Sequence, residues 1–304
     1  MLGTLDTGPD GALMVTPACI CEVRPPRRQE SVWGRYRRNR LAVLGLVLLG
    51  LMVLMAINAP LLAPFEPDVI SYDFLAPPSN EHVLGTDDVG RDELSRLIFA
   101  SRISLTVGIC VSIITVTIGT IVGSLAGYYS GKVDAWVSGG MNVLLSIPMI
   151  PLAMVLGAFL ETNLVFVVLI LGFLSWTGVA RIIRAEFLSL KEREFTVAAR
   201  LTGASDLRII IRHILPNTMA SIIVAATLQV ATAILAESAL SYLGYGIQPP
   251  TASWGNMLQN AQRFFRVNPM LAIYPGALIS VTVIGINFVG DGLRDALDPR
   301  LRRP

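Results

Sequence analysis

Side chains able to do chemistry are scarce in this chain and poorly grouped. The two histidines, His82 and His213, have no evident catalytic cluster, and neither H-E-x-x-H nor G-x-S-x-G occurs. Gly131-Lys132 suggests a nucleotide-binding loop. However, Ala126 and Val133 stand where G-x-x-x-x-G-K-[ST] needs Gly and a hydroxyl, so ATP is not expected to bind that way. Cys19 and Cys21 form a C-x-C and Cys110 stands apart, which gives no disulfide framework and no expected metal site. What remains is polar groups within apolar runs. Asn142 and Ser146 lie one helical turn apart, and Gln229, Ala233 and Glu237 share a helix face. At 1.5 Å per residue, Gln229 falls roughly 18 Å from Asn217, near the midplane, and Glu237 roughly 30 Å away, near the outer interface. Asn142, Ser146, Gln229 and Glu237 are therefore candidates for lining a path, not for making bonds. An intramembrane acid is functional by default. Near an interface it can equally hold the following loop, and for Glu237 that structural role is favoured.

The elements that must position them follow from composition. A chain of 304 residues with 53% hydrophobic and 15% charged residues is too apolar for an ordinary soluble domain. An all-α polytopic membrane protein is expected, with spans at 41–63, 103–127, 137–160, 164–183, 218–240 and 271–289. Pro148 and Pro151 fall inside the third span and should bend it. Gly119, Gly123 and Gly127 give the second span a small-residue face, expected to pack within this chain. Residues 128–136 read as a short inner turn and 161–163 as a short outer loop.

Charge then sets the orientation. Arg35, Arg37, Arg38 and Arg40 precede the first span and anchor that end inside; nucleic acid is not an expected partner, because the apolar run follows at once. Residues 64–102 carry eight acids against three arginines, as expected outside, whereas 181–216 carry seven basic residues against four acids. The organisation expected is a flexible cytoplasmic tail (1–40), the first span (41–63), an extracytoplasmic loop (64–102), a five-helix core (103–291) holding a cytoplasmic loop at 184–216, and a cytoplasmic tail (292–304). Both termini are thus expected in the cytoplasm, with the spans against membrane lipid.

That cytoplasmic loop is the most informative stretch. Residues 194–202 favour a helix, Gly203 suits its left-handed cap, Ser205 suits the N-cap of a second helix, and Pro216 should interrupt that helix at the membrane. Ala198, Ala199, Gly203 and Ala204 keep the turn small, so another surface can approach the backbone. The predicted shape is a knob for a soluble partner.

Ala198, Ala199, Gly203, Leu215 and Pro216 resemble, at the same spacing, the cytoplasmic EAA loop of ABC-importer permeases, E-A-A-x3-G-x9-I-x-L-P, with Val197 in place of Glu and His213 in place of Ile. Gly85, Thr86, Asp87, Gly90, Arg91, Asp92, Ser95, Arg96 and Arg102 are similar to a segment of the second permease of dipeptide/oligopeptide/nickel importers. The runs 237–244, 248–250 and 253–255 resemble the peptide-permease class, and 290–300 resembles the family's C-terminal signature. An Arg–Asp pair common in the family is replaced here by Gly139 and Asn142. The resemblance implies a type I permease with a coupling helix formed around Ala198, Ala199, Gly203, Ala204, Leu215 and Pro216. It also implies a second homologous permease, two cytoplasmic ATPase subunits carrying ATP-Mg, and an extracytoplasmic substrate-binding protein. The chain itself would hold no cofactor and catalyse nothing, and its cargo would be peptides. The alternative expectation is an ion-coupled carrier or channel, which Gln229 and Asn142 would have to serve.

Overall fold

The structure is a computed structural model that describes residues 32–159 and 163–297. Most of the expected N-terminal tail with Cys19 and Cys21, residues 160–162 of the outer loop, and the chain from 298 onward lie outside the described residues. Among the described residues every regular element is a helix: α1 (Val32–Arg38), α2 (Arg40–Ile57), α3 (Ala59–Leu62), α4 (Glu93–Tyr129), α5 (Gly131–Ser146), α6 (Met149–Phe159), α7 (Leu164–Leu190), α8 (Glu194–Leu201), α9 (Asp206–Arg208), α10 (Leu215–Tyr242), α11 (Trp254–Phe264) and α12 (Met270–Leu297). Among the described residues five helices are long and apolar enough to cross a membrane: α2, α4, α7, the continuous run 206–242 and α12. The pair α5–α6 makes a sixth span if taken as one.

Several expected boundaries are corrected. The first span stops at Ile57, where Asn58 leaves helical geometry and α3 begins with Pro60 in its first turn. The second begins ten residues early, because Asp92 caps α4 by accepting from the Ser95 N–H at 2.8 Å. At 37 residues α4 is about 55 Å long, so its first turns stand clear of a ~30 Å hydrocarbon layer. The inner turn expected at 128–136 shrinks to Ser130, held at φ 53° between α4 and α5. The third span is not one bent helix but two, at 80° to each other. Pro148 and Pro151 remove the N–H groups that would bond the Leu144 and Ile147 carbonyls, so the helix parts at Ile147. The helix of the last span continues to Leu297, so residues 292–297 of the expected tail are helical.

Packing explains the order of the helices. Gly119, Gly123 and Gly127 press onto α7 so closely that an added Cβ would lie 2.7 Å from Val179 Cβ, 2.5 Å from the Ala180 carbonyl and 2.6 Å from Phe187 Cβ. The small-residue face is thus filled within the chain, as expected. Trp254 is wholly buried at the loop end of the bundle, its N–H groups reaching Ser104 Oγ at 3.2 Å and the Leu97 carbonyl at 3.3 Å. At the opposite end Tyr128, Phe187, Ile209, Ile210 and Ile214 form another apolar cluster, on which α8 sits.

Candidate functional site

The knob projects where α7 ends and before α10 begins. Its first helix, α8, closes with a Schellman motif: the Gly203 N–H bonds the Arg200 carbonyl at 3.0 Å and the Ala204 N–H bonds the Ala199 carbonyl at 3.1 Å. Gly203 has φ +80°, the left-handed conformation this motif requires, and an added Cβ there would meet nothing within 4 Å. The reversal is therefore fixed by backbone conformation, not by crowding. Ser205 has the extended geometry of an N-cap, yet its side chain makes no cap bond, contrary to expectation. The Ile209 N–H instead reaches the Ser205 carbonyl at 3.0 Å.

Alternation around α8 separates two faces. Thr196 and Ala199 are buried, with Thr196 Oγ1 donating to the Leu190 carbonyl at 2.9 Å, and Ala204 packs beside them. Ala198 and Gly203 are exposed. Around them Phe195, Val197, Leu201 and Leu207 are also exposed, Leu201 to 84% and Leu207 to 67%. The alanines that a shared pattern put together thus point to different places: Ala199 builds the knob and Ala198 faces outward. Leu201 and Leu207 are the residues that sequence reasoning missed. Their signal was apolar side chains in a segment placed outside the membrane, with Leu201 one turn after Val197.

The knob is tied to the bundle. Tyr128 donates its hydroxyl to Asp206 Oδ1 at 2.6 Å, and the Arg200 guanidinium lies 5.8 Å from the centre of the same ring. Arg184 grips Asp134 across α7 and α5, and Lys191 donates to Ser130 Oγ. Beyond the knob, Pro216 does not interrupt the second helix as expected. Residues Ile209–Ile214 form a π turn in which the Leu215 N–H bonds the Ile210 carbonyl. This wider turn absorbs the proline, which otherwise would clash with the carbonyl four residues back. Leu215 joins the apolar cluster and Pro216 is exposed, and the π turn runs without a break into α10.

The four candidate path residues do not form one constellation. Asn142 Oδ1 accepts from Arg181 Nη2 at 3.0 Å, and Ser146 Oγ bonds back to the Val143 carbonyl at 2.7 Å. Gln229 is half-buried midway along α10. Glu237 lies at the loop end and is wholly buried. Its Oε1 accepts from Ser241 at 2.7 Å and from Ser253 at 2.9 Å, and Ser253 in turn caps α11 in a capping box with Asn256.

The loop before α4 is equally organised. Asp87 Oδ1 accepts from the Arg91 N–H at 2.8 Å and Oδ2 from Arg91 Nε at 2.7 Å, with Arg96 Nε 3.6 Å away. Asp92 Oδ1 lies 2.9 Å from His82 Nδ1, and Thr86 Oγ1 both accepts from the Ala76 N–H at 2.9 Å and donates to the Asp73 carbonyl. Gly85 and Gly90 take positive φ against the Ala76 and Ser71 carbonyls. Of the eight acids in this stretch, Asp87 and Asp92 are thus bonded inside the loop, while Glu66, Asp68, Asp73 and Glu81 remain exposed.

Comparison with known proteins agrees over most of the chain. A family model described as binding-protein-dependent transport system inner membrane component matches residues 119–303, and one described as N-terminal TM domain of oligopeptide transport permease C matches residues 30–78. The chain is 38% identical over 284 residues to the oligopeptide transport system permease protein OppC of Bacillus subtilis (strain 168), covering 91% of this chain and 92% of that one. It is 40% identical over 279 residues to OppC of Haemophilus influenzae, covering 90% of each. To the dipeptide transport system permease protein DppC of Bacillus subtilis it is 39% identical over 278 residues, covering 90% of this chain and 86% of that one. In fold it is similar to a chain of the inward-facing MetNI methionine ABC transporter, with a TM-score of 0.56 and 20% identity over 67% of this chain and 97% of that chain.

Proposed function

Because the chain belongs to the binding-protein-dependent transport system inner membrane component family, and is a multi-pass permease of an ABC importer, we propose that its cargo is peptides and that the knob couples it to the ATPases. The observation that carries the coupling is the knob's outward face. Val197, Ala198, Leu201, Gly203 and Leu207 form an apolar surface beyond the end of the bundle, and it rests on a buried and latched inner face. A soluble partner would cover that surface.

In this reading the chain pairs with a second, homologous permease, and two cytoplasmic ATPase subunits carry ATP-Mg and do the hydrolysis. An extracytoplasmic binding protein delivers cargo to the loop end, and both termini and the knob lie in the cytoplasm. The chain holds no cofactor and breaks no bond. Closure of the ATPases displaces the knob, and the Tyr128–Asp206 and Arg200 contacts make α8, α9 and the π turn move together. The displacement passes into α10 directly and into α4 through the close α7 contact. The carrier or channel alternative needs free polar groups at membrane depth, whereas Asn142 is spent on Arg181 and Glu237 on two serines, which leaves it Gln229.

Two measurements test this. A cysteine at Ser79 should react with an impermeant thiol reagent from outside, and one at Ser205 should not; the reverse pattern overturns the orientation. The purified complex should hydrolyse ATP faster with peptide-loaded binding protein than with empty binding protein. Equal rates over di- and oligopeptides would remove peptides as cargo.

A further inference from the structure

Of the nine residues in 84–105 that carry the family resemblance, one is left unexplained. Asp87, Arg91, Asp92, Ser95 and Arg96 are each bonded within the loop or to the start of α4, and Thr86, Gly85 and Gly90 are set by the turns they make. Arg102 is different. It stands two and a half turns into α4, exposed, and makes no hydrogen bond or ion pair among the described residues. It lines a cleft of about 330 Å³ at the loop end, together with Asp68, Phe99, Thr106, Leu164 and Thr251. Asp68 is 54% exposed at its side chain and reaches only Arg96 Nη1, at 3.9 Å, so it keeps acceptor capacity.

The volume is at the small end of the range for small-molecule sites. Its chemistry is one cation, one anion, two hydroxyls and apolar walls. That combination matches a short zwitterionic peptide, with its carboxylate on the guanidinium of Arg102, its ammonium on Asp68, and its side chains on Phe99 and Leu164. A guanidinium suits a carboxylate because both are planar forks that can pair through two hydrogen bonds. We infer that this cleft is a peptide-binding subsite on the permease itself, recognising the free termini and not the side-chain sequence. The inference rests on the proposed peptide cargo and on the loop end facing the delivering side.

The test reads occupancy without transport. Thr106→Cys is made in the full complex with Cys19, Cys21 and Cys110 replaced by Ser, and the binding protein is omitted. Modification of that cysteine by an impermeant maleimide is timed with and without millimolar dialanine. Dialanine should slow it, while dialanine amide should need about tenfold more for the same protection, as expected from losing one charge-assisted contact. Arg102→Gln should abolish that preference, and Asp68→Asn should abolish the corresponding preference over N-acetyl-dialanine. Equal protection by the amide, no protection at any concentration, a cysteine that never reacts because another subunit covers it, or protection by anionic lipid in place of peptide would each overturn the subsite. Peptide-stimulated hydrolysis in the unmodified complex is scored separately, so loss of the cleft leaves the permease reading standing.

Discussion

At the scale of single residues, neighbours in the sequence have opposite duties. Ala199 is 9% exposed and packs in the cluster with Ile209 and Ile210, while Ala198 is exposed. Ala199→Arg should therefore lower the melting temperature of the complex and make α8 susceptible to proteolysis. Ala198→Arg should leave both unchanged and weaken only ATPase co-purification. Equal protease resistance in the two variants would contradict this division. Glu237 allows a second contrast. Both strong hydrogen bonds fall on Oε1, so the amide of Glu237→Gln can keep them, and assembly and uptake should stay near wild type. Glu237→Leu should cost on the order of 1–3 kcal/mol for each hydroxyl left without its acceptor. A transport loss in a normally assembled Glu237→Gln complex would assign the acid to the path.

At the scale of elements, the apolar runs made the spans legible, because length and hydropathy alone decide what can cross a bilayer. The helix reversal at Gly203 was legible too, since few residues but glycine suit positive φ. Three features were not. The early start of α4 was hidden because Asp92, Ser95 and Arg96 look like loop residues until Asp92 is seen to cap the helix and Arg96 to approach Asp87. The prolines located the α5–α6 break but not its 80° angle, which depends on what each half packs against. Pro216 read as a stop because a π turn has no sequence signal strong enough to foresee. The element-scale prediction concerns the Schellman turn. Gly203→Val should cost about 1–2 kcal/mol, a β-branched residue being ill suited to positive φ, and should reduce ATPase binding. Gly203→Asn, which tolerates that conformation, should retain most binding, although both side chains enter the same open space. Equal losses in the two variants would mean that bulk, not backbone conformation, is sensed there.

At the scale of the whole molecule, the bundle links two ends with different chemistry. One end holds a loop pinned by the buried Asp87 and Asp92 and a cleft lined by Arg102 and Asp68. The other holds an apolar knob latched to Tyr128 and continuous with α10. The central claim is that this knob transmits ATPase motion to the spans, and Leu201 tests it most directly. It is 84% exposed, so a charge there should not disturb the fold. The measurement is ATP-driven peptide uptake into proteoliposomes containing the complete complex with Leu201→Arg, with hydrolysis followed in parallel. The account predicts a permease pair that assembles normally while uptake falls at least about tenfold, with ATPase subunits lost or hydrolysing ATP without peptide stimulation; this corresponds to about 1.4 kcal/mol or more of lost coupling. Uptake and peptide-stimulated hydrolysis at wild-type levels in Leu201→Arg would contradict it.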